Sequence, residues 1–199
     1  GILFVADEVI TGFGRVGAWF ASVLWDLDPD LMTLAKGITS GYLPLGATMV
    51  SDEIAATLAD AGYLAHGFTY TGHPVPTAAA LANLDIIESE GLIPRVRDDV
   101  GPLMQAMLLC FAGHPAVGEV RGCQLIAAIE LKRPSKGTHA QAAPNMLGVA
   151  AAAIAREEGV IVRGIRDLIA VAPPLVITHA ELDRLGGAIG RTLDRLWGA

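Results

Sequence analysis

Cysteine is scarce in this chain, and the patterns that usually mark metal or nucleic-acid binding are missing. Cys110 and Cys123 show neither CxxC spacing nor a disulfide framework, which favours the reducing cytosol. The histidines are scattered without the spacing of metal ligands, so we expect no metal site. The net charge of −7 is spread along the chain. Because no basic run is present, we expect no binding to nucleic acid.

Long apolar runs are also missing. No run reaches the ~20 residues needed to cross a bilayer, and no basic segment precedes a cleavable apolar one, so we expect a cytoplasmic protein outside the membrane. Hydrophobic residues nevertheless make up 52% of the chain. This content can form the core of one or two domains.

The first half of the chain has the pattern of an α/β protein. Residues 2–6 read as a central parallel strand that is buried on both faces. Such a strand needs neighbours, so we expect the chain to be a fragment of something larger. Further strands are predicted over residues 31–35 and 45–50, a helix after the capping residue Ser51, and a helix over residues 76–90.

The second half has the pattern of a small α+β domain. Helices are predicted over residues 94–111, with an interruption at 101–102, and over residues 144–158. Strands are predicted over residues 117–120, 125–131, 160–163 and 169–171. Thr178 and Glu181 form a capping box that opens the last helix. We place the domain boundary after residue 92.

Two residues with complementary chemistry stand at predicted strand ends. Asp7 ends the first strand and Lys36 ends the second, and open α/β sheets bind their ligands at this edge. The two can form a plain buried ion pair. They are also the groups that pyridoxal phosphate requires, since a carboxylate keeps the pyridine nitrogen protonated and a lysine forms the imine.

Five segments follow one another along nearly the whole chain. They are residues 4–17 (FVADEVITGFGRVG), 34–38 (LAKGI) with 41–46 (GYLPLG), 66–74 (HGFTYTGHP), 119–122 (EVRG) and 172–178 (APPLVIT). In this order they resemble the C-terminal half of class-III aminotransferases of the ω-amine:pyruvate type. The first three resemble the pyridine-binding segment, the Schiff-base lysine segment and the phosphate-binding turn of that family.

The resemblance implies a fold and a function. The fold is that of a fold-type I transferase dependent on pyridoxal 5'-phosphate: residues 1–92 belong to the large mixed-sheet domain that binds the cofactor, and residues 93–199 form the small α+β C-terminal domain. The reaction is the transfer of an amino group from an amine or ω-amino acid to a keto acid such as pyruvate. The family further implies a homodimer.

The resemblance also assigns cofactor-binding residues. Asp7 is expected to pair with the pyridine nitrogen, Val9 to pack on the ring and Lys36 to carry the cofactor. Phe68 and Thr69 belong to the phosphate-binding turn, where the Thr69 hydroxyl reaches the phosphate across the dimer interface. On the residues alone, Thr69 can equally be an ordinary turn hydroxyl.

Arg163 resembles the mobile arginine that binds the substrate carboxylate, although an exposed arginine at a strand end gives the same pattern. Two positions depart from the wider family. Gln124 replaces an expected glycine, which can alter the backbone there. Ala170 stands near the place where ornithine- and GABA-type relatives carry an arginine, and this favours the ω-amine subgroup.

Two other functions compete with this interpretation. The glycines at positions 12, 14 and 17 match the GxGxxG pattern of a nicotinamide dehydrogenase, but residues 7–11 separate them from the strand that should immediately precede that pattern. The second alternative is an inactive truncated remnant of an aminotransferase, or a partner-binding fragment of one.

Overall fold

The computed structural model describes residues 1–62, 64–136 and 138–198. The chain divides into two compact units, Gly1–Pro94 and Arg95–Ala199. The assignment of these units to the domains of a larger enzyme stays a prediction.

The first unit contains a mixed three-stranded sheet. Its strands are β1 (Val5–Asp7), β2 (Leu31–Leu34) and β3 (Ala47–Val50), in the order β1-β2-β3. β1 runs parallel to β2, and β3 runs antiparallel to it. Within the described residues β1 pairs with β2 alone, it begins at Val5, and residues 1–5 are exposed. The burial of the first strand on both faces stays a prediction.

Helices and one tight turn complete the first unit. They are α1 (Ala21–Leu24), a 3-10 turn (Lys36–Thr39), α2 (Asp52–Asp60) and α3 (Pro74–Ser89). α3 begins earlier than the sequence predicts because His73 caps it: the Val75 N–H donates to His73 Nδ1 at 3.1 Å. Pro74 at the first helical position has no N–H that needs a partner.

A long helical stretch begins at the end of the first unit and continues into the second. It consists of α4 (Leu92–Arg95), a wider π-helical segment (Val96–Val100) and α5 (Gly101–Leu109). The predicted interruption at residues 101–102 therefore appears as a change of helical geometry just before Gly101, and the chain does not break there. Pro102 explains the change, since it cannot donate a backbone hydrogen bond to the preceding turn.

An antiparallel sheet of four strands forms the centre of the second unit. The strands are β4 (Val117–Cys123), β5 (Ile126–Leu131), β6 (Arg163–Ile165) and β7 (Leu168–Val171), in the order β4-β5-β7-β6. The prediction of a strand over residues 160–163 was wrong, because β6 begins at Arg163 and pairs with β7 from there.

Two helices and a short 3-10 turn (Thr138–Gln141) complete this unit: α6 (Leu147–Glu157) and α7 (His179–Trp197). Ile129 and Ile169 of the sheet are fully buried in one core with Leu147 of α6 and Ile189 of α7. The predicted capping box of α7 is confirmed. Thr178 Oγ1 accepts a hydrogen bond from the Glu181 N–H, and the Glu181 carboxylate accepts one from the Thr178 N–H.

Across residues 1–62, 64–136 and 138–198, none of the helices combines the length and the apolar character that crossing a membrane requires.

Candidate active site

Asp7 lies at the carboxyl end of β1, directly opposite Thr33 of the parallel strand β2. Its Oδ1 atom accepts hydrogen bonds from the Thr33 hydroxyl and from the Val9 N–H, both at 3.1 Å. Within the described residues, Oδ2 has no hydrogen-bond partner, and the side chain is exposed. One oxygen therefore holds the carboxylate in place while the other can accept a hydrogen bond from a ligand.

Lys36 follows the carboxyl end of β2, where it begins the 3-10 turn. Because β1 and β2 are parallel, their carboxyl ends lie at the same edge of the sheet, and this edge presents both Asp7 and Lys36. The Lys36 side chain is exposed and its backbone φ is 40°. This is the left-handed region that residues other than glycine rarely adopt, and such conformations concentrate at functional sites.

Glu8 anchors the loop that follows Asp7. Its side chain is buried, and its Oε1 atom accepts a hydrogen bond from the Ser22 N–H at 2.6 Å, while Oε2 accepts one from the Ala21 N–H at 2.9 Å and another from the Thr11 hydroxyl. The Glu8 carboxylate thus connects the first residue of the loop 8–20 with the two residues that follow the loop. The loop and the strand end that carries Asp7 are held together.

The environment of Glu8 favours its charged form. Burial by itself raises the pKa of a carboxyl group, because it removes the charge from water. The hydrogen bonds from the Thr11 hydroxyl and from the Ser22 and Ala21 N–H groups act in the opposite direction, and the pKa of Glu8 lies below its ordinary value. Glu8 is therefore ionised and fully hydrogen-bonded at neutral pH.

The glycine-rich loop packs directly on the Lys36 turn. Phe13 is buried and takes a positive φ of 60°. A Cβ atom added to Gly37 would lie 3.1 Å from Phe13 Cβ, so the backbone of the turn approaches the ring closely. Phe20 covers the other side of Phe13, with the two ring centroids 5.4 Å apart. The segments after β1 and β2 therefore form one packed structure.

Phe68 and Thr69 lie in the loop between α2 and α3, and both side chains are exposed. The loop is shaped by a turn in which the Thr71 Oγ1 atom accepts a hydrogen bond from the Phe68 N–H at 2.8 Å. Among the described residues, no hydrogen bond joins Thr69 to Asp7 or Lys36. Within a single chain, the structure therefore brings Asp7, Val9 and Lys36 to one sheet edge, whereas the role of Phe68 and Thr69 stays a prediction.

Arg163 belongs to the second unit, where it is the first residue of the edge strand β6 and is exposed. The hairpin of β6 and β7 fits tightly against α6, since a Cβ atom on Gly164 would lie 2.0 Å from the Gly148 carbonyl oxygen. The hairpin turn also caps that helix: Asp167 Oδ1 accepts a hydrogen bond from the Leu147 N–H at 2.9 Å. Packing therefore fixes the strand from which Arg163 projects.

Gln124, where the resemblance leads us to expect a glycine, forms the turn between β4 and β5 with a φ of 53°. It thus adopts a backbone conformation that glycine reaches without strain. The side chain lies over Gly101, where a Cβ atom would be 1.8 Å from Gln124 Oε1. This buried oxygen has no hydrogen-bond partner among the described residues. The departure from the family pattern leaves the turn in place but strains it.

The sequence matches the family model described as aminotransferase class-III over residues 1–193. This match covers nearly the whole chain and includes both units. The chain belongs to the class-III aminotransferases.

Relatives of this class-III aminotransferase chain include enzymes with different donors. It is 42% identical over 194 residues to the putrescine–pyruvate aminotransferase of Pseudomonas aeruginosa, and the match covers 98% of this chain and 42% of that protein. It is 39% identical over 203 residues to the diaminobutyrate–2-oxoglutarate transaminase of Halomonas elongata, covering 98% of this chain and 43% of the relative. The chain therefore spans less than half the length of these relatives.

Solved structures agree with this membership. The ω-transaminase of Pseudomonas jessenii in complex with PMP superposes with a TM-score of 0.87 at 41% identity, covering 100% of this chain and 46% of that one. A transaminase with L-Ala gives a TM-score of 0.87 at 40% identity, covering 98% and 47%. The two units thus have the fold of fold-type I transaminases that use pyridoxal phosphate, as the sequence motifs predict.

The membership and the local structure argue against a dinucleotide site in this class-III chain. A Rossmann loop passes directly from a strand to a helix whose N-terminus faces the phosphates. Here residues 8–20 separate β1 from the short helix α1, and the loop between them packs on the Lys36 turn. Of the glycines in the GxGxxG pattern, Gly12 contacts the turn at Gly37, and Gly14 and Gly17 take positive φ angles of 93° and 75°.

Two residues that shape the site were missed by the sequence analysis. Glu8 directly follows Asp7 in the sequence. Thr11, three residues further on, was the only local indication that the Glu8 carboxylate has a hydrogen-bond partner. Asn83 lies in α3 and hydrogen-bonds the Lys36 turn. The sequence feature that could have revealed Asn83 is that it is the single polar residue in the apolar run 78–84 (AAALANL). Asparagine is a poor helix former, so its presence there indicates another role.

Proposed function

We propose that the protein to which this chain belongs is a transaminase that moves an amino group from an amine to a keto acid by means of pyridoxal 5'-phosphate. The observation that carries the proposal is the presentation of Asp7 and Lys36 at one edge of the sheet, in a chain of the class-III aminotransferase family. The relatives favour this function over the alternative of an inactive remnant or partner-binding fragment.

The residues present fit the cofactor. A protonated pyridine nitrogen needs a carboxylate oxygen that is not already occupied, and Asp7 Oδ2 meets this need while Thr33 and Val9 hold the other oxygen. The aldehyde needs a primary amine within reach of solvent and substrate, and the exposed Lys36 provides it. Val9, half-buried two residues beyond Asp7, is suited to pack on the ring.

When bound, pyridoxal phosphate supplies an electron sink that allows an amino group to leave one carbon skeleton and join another. The Asp7 carboxylate keeps the proton on the ring nitrogen. Lys36 Nζ would act as general base, accepting a proton from the donor carbon, and then as general acid, giving that proton back. Thr69 would donate its hydroxyl to the phosphate across the dimer interface.

Arg163 is proposed to bind the carboxylate of the acceptor keto acid. A guanidinium forms two parallel hydrogen bonds with a carboxylate, and it can withdraw to water when an uncharged group occupies the site. Ala170 opposite Arg163 and the relative named for putrescine and pyruvate support an amine donor and a pyruvate-like acceptor. These two observations name the substrate class.

The assembly and the compartment are also part of the proposal. Ile2, Phe68 and Tyr70 are exposed by 99%, 76% and 78%, and apolar side chains at such exposure mark surfaces that associate. We expect a homodimer in the cytoplasm, where the two free cysteines stay reduced. Sedimentation of the full-length protein should give the mass of a dimer, and a fully active monomer would contradict this part of the proposal.

Borohydride reduction of the full-length protein with its cofactor tests the central assignment. Reduction fixes the cofactor on the lysine that carries it, and peptide mass spectrometry should find the label on Lys36. Lys36→Ala should abolish turnover, and Asp7→Asn should cripple it because the ring nitrogen loses its ionic partner. Lys132→Ala is the matched control and should leave activity unchanged. A label on Lys132 or Lys136 would refute the assignment.

A further inference from the structure

The turn that carries Lys36 has an unusual backbone. Lys36 has a φ of 40° and Ser40 a φ of 50°, and a left-handed residue with a side chain costs about 1–2 kcal/mol. A strained conformation of this kind persists only where surrounding contacts hold it. The contacts made by the turn therefore determine the backbone position of Lys36, and with it the position of the Lys36 Cα–Cβ bond.

Asn83 of α3 makes three hydrogen bonds with the residues that follow Lys36. Its Nδ2 atom donates to the Gly37 carbonyl at 2.9 Å and to the Ile38 carbonyl at 3.2 Å. Its Oδ1 atom accepts a hydrogen bond from the Ser40 hydroxyl at 2.6 Å. One amide side chain thus holds three positions of the turn against a helix that is distant in the sequence.

The stability of α3 does not explain an asparagine at this position. The residues around Asn83 are alanine and leucine, which are better helix formers than asparagine. Its amide is half-buried. It donates to the Ile38 carbonyl and adds a second hydrogen bond to the Gly37 carbonyl, which also accepts one from the Ser40 N–H within the turn. The hydrogen bonds with the turn explain why an asparagine occupies this position.

Other contacts hold the turn at different points, and they show what Asn83 adds. The Thr39 hydroxyl donates to the Leu43 carbonyl at 2.6 Å, which closes the turn within its own loop. Phe13 packs against Gly37 from the side of the glycine-rich loop. Asn83 joins the same backbone to α3 by directional hydrogen bonds, which the contact with Phe13 does not provide.

We propose that Asn83 is a positioning residue for Lys36. It keeps the turn closed, and thereby keeps Lys36 in its left-handed conformation at the edge of the sheet that also carries Asp7. The chemical consequence rests on the proposed transaminase function. The clamp itself is a property of the chain without cofactor, so the two can be tested separately.

Hydrogen exchange in the full-length protein without cofactor tests the clamp. The amides of Ile38, Ser40, Gly41 and Tyr42 are hydrogen-bonded within the turn and report its opening. Asn83→Leu removes all three hydrogen bonds, while Asn83→Asp keeps the acceptor for Ser40 and removes both donors. We expect both variants to speed exchange of these amides by roughly tenfold or more, with α3 itself unchanged.

The second measurement concerns Lys36 in the protein with cofactor. A mispositioned lysine should shift the pH midpoint of the absorption change of the bound cofactor. It should also lower kcat by roughly tenfold or more, because a small misplacement of a reacting group is costly, while KM for the amine changes little. A residue with a merely structural role would not shift the pH midpoint.

Glu88→Ala, on the exposed surface of the same helix, is the matched control and should leave both measurements at wild-type values. Unchanged exchange of the turn in both Asn83 variants would overturn the proposal, as would an unchanged pH midpoint together with an unchanged kcat. If Asn83→Leu does not fold, Asn83→Asp decides. A wild-type protein that binds no cofactor would refute the proposed function, whereas the exchange data would still decide whether Asn83 clamps the turn.

Discussion

Arg163 and Ala170 lie directly opposite each other on β6 and β7. Residues paired in this way on an antiparallel sheet place their side chains on the same face, close enough to interact. Ala170, which the resemblance places near an arginine of ornithine- and GABA-type relatives, is thus the cross-strand neighbour of Arg163. Two guanidinium groups at these paired positions would repel each other, and the alanine at 170 avoids this repulsion.

Arg163→Ala should impair one half-reaction only. Removing hydrogen bonds to a charged carboxylate costs about 1.5–3 kcal/mol, so KM for pyruvate should rise by roughly tenfold or more. The half-reaction with the amine should stay unchanged, and Arg163→Lys should recover part of the loss because an ammonium group cannot form the paired contact. Stopped-flow measurement of each half-reaction decides this.

Arg166 provides the control for Arg163. It is exposed in the turn of the same hairpin, and Arg166→Ala should leave KM for pyruvate unchanged. Equal slowing of both half-reactions by Arg163→Ala would show that Arg163 is structural. If Arg163→Ala changed neither half-reaction, another residue would bind the carboxylate of the keto acid.

Replacing Ala170 by arginine tests the same cross-strand relationship. Like charges directly opposite on neighbouring strands are destabilising by roughly 0.2–1 kcal/mol, so Ala170→Arg should lower the free energy of unfolding slightly. The same substitution in an Arg163→Ala background should cost less. A double-mutant cycle in denaturant measures the coupling, and a cycle without coupling would contradict the predicted repulsion.

Glu8→Gln should destabilise the first unit by about 2 kcal/mol at neutral pH, because a charged acceptor of buried hydrogen bonds is lost. The pKa of Glu8 is lowered in the folded protein from an ordinary value of 4.5. Its contribution is therefore fully present above about pH 4.5 and is lost as the pH falls through the lower folded value. The difference between wild type and variant should shrink on acidification.

Hydrogen exchange of peptides from residues 8–22 at several pH values measures this effect. Glu53→Gln, in the exposed first turn of α2, is the matched control and should change exchange little at any pH. A difference between wild type and Glu8→Gln that is independent of pH would contradict the assignment of the effect to the Glu8 charge.

Gln124→Gly should be at least as stable as the wild type. Glycine adopts the φ of 53° without strain, and the substitution removes a buried oxygen that has no partner among the described residues. Gln124→Ala keeps the strain and should be less stable than Gln124→Gly by about 1 kcal/mol. Asn145→Gly, at an exposed residue with a φ of 62°, isolates the backbone effect. Thermal unfolding of the three variants checks the order, and equal stability of Gln124→Gly and Gln124→Ala would contradict it.

Gly164→Ala should destabilise the second unit strongly. The added methyl group would lie 2.0 Å from the Gly148 carbonyl oxygen, and overpacking of this kind costs about 1–3 kcal/mol or more. Gly187→Ala is the opposite control, because Gly187 is exposed in the interior of α7 and alanine favours the helix by about 0.5–1 kcal/mol. Thermal unfolding should therefore show changes of opposite sign, and a tolerated Gly164→Ala would show that the hairpin can move away from α6.

Local features were predictable from the sequence because their causes lie within a few residues. The capping box of α7 joins Thr178 to Glu181 within one helical turn, so its two hydrogen bonds could be predicted without a fold. The place of Lys36 after a strand, and of Asp7 at the end of the strand before it, followed from apolar runs that stop at polar residues. Parallel pairing of β1 and β2 then brings the two to one edge.

Features that depend on distant residues were decided only by the tertiary structure. α6 begins at Leu147 because Asp167 caps it, and β6 begins at Arg163 because β7 pairs from there. The Lys36 turn is held by Asn83 from another element of the fold. The sequence by itself predicted the residues that we propose to carry the chemistry, and it determined which short segments are helical or extended. Only the packed chain decided where those segments begin and what holds them, because hydrogen bonds and van der Waals contacts between distant residues leave no local pattern to read.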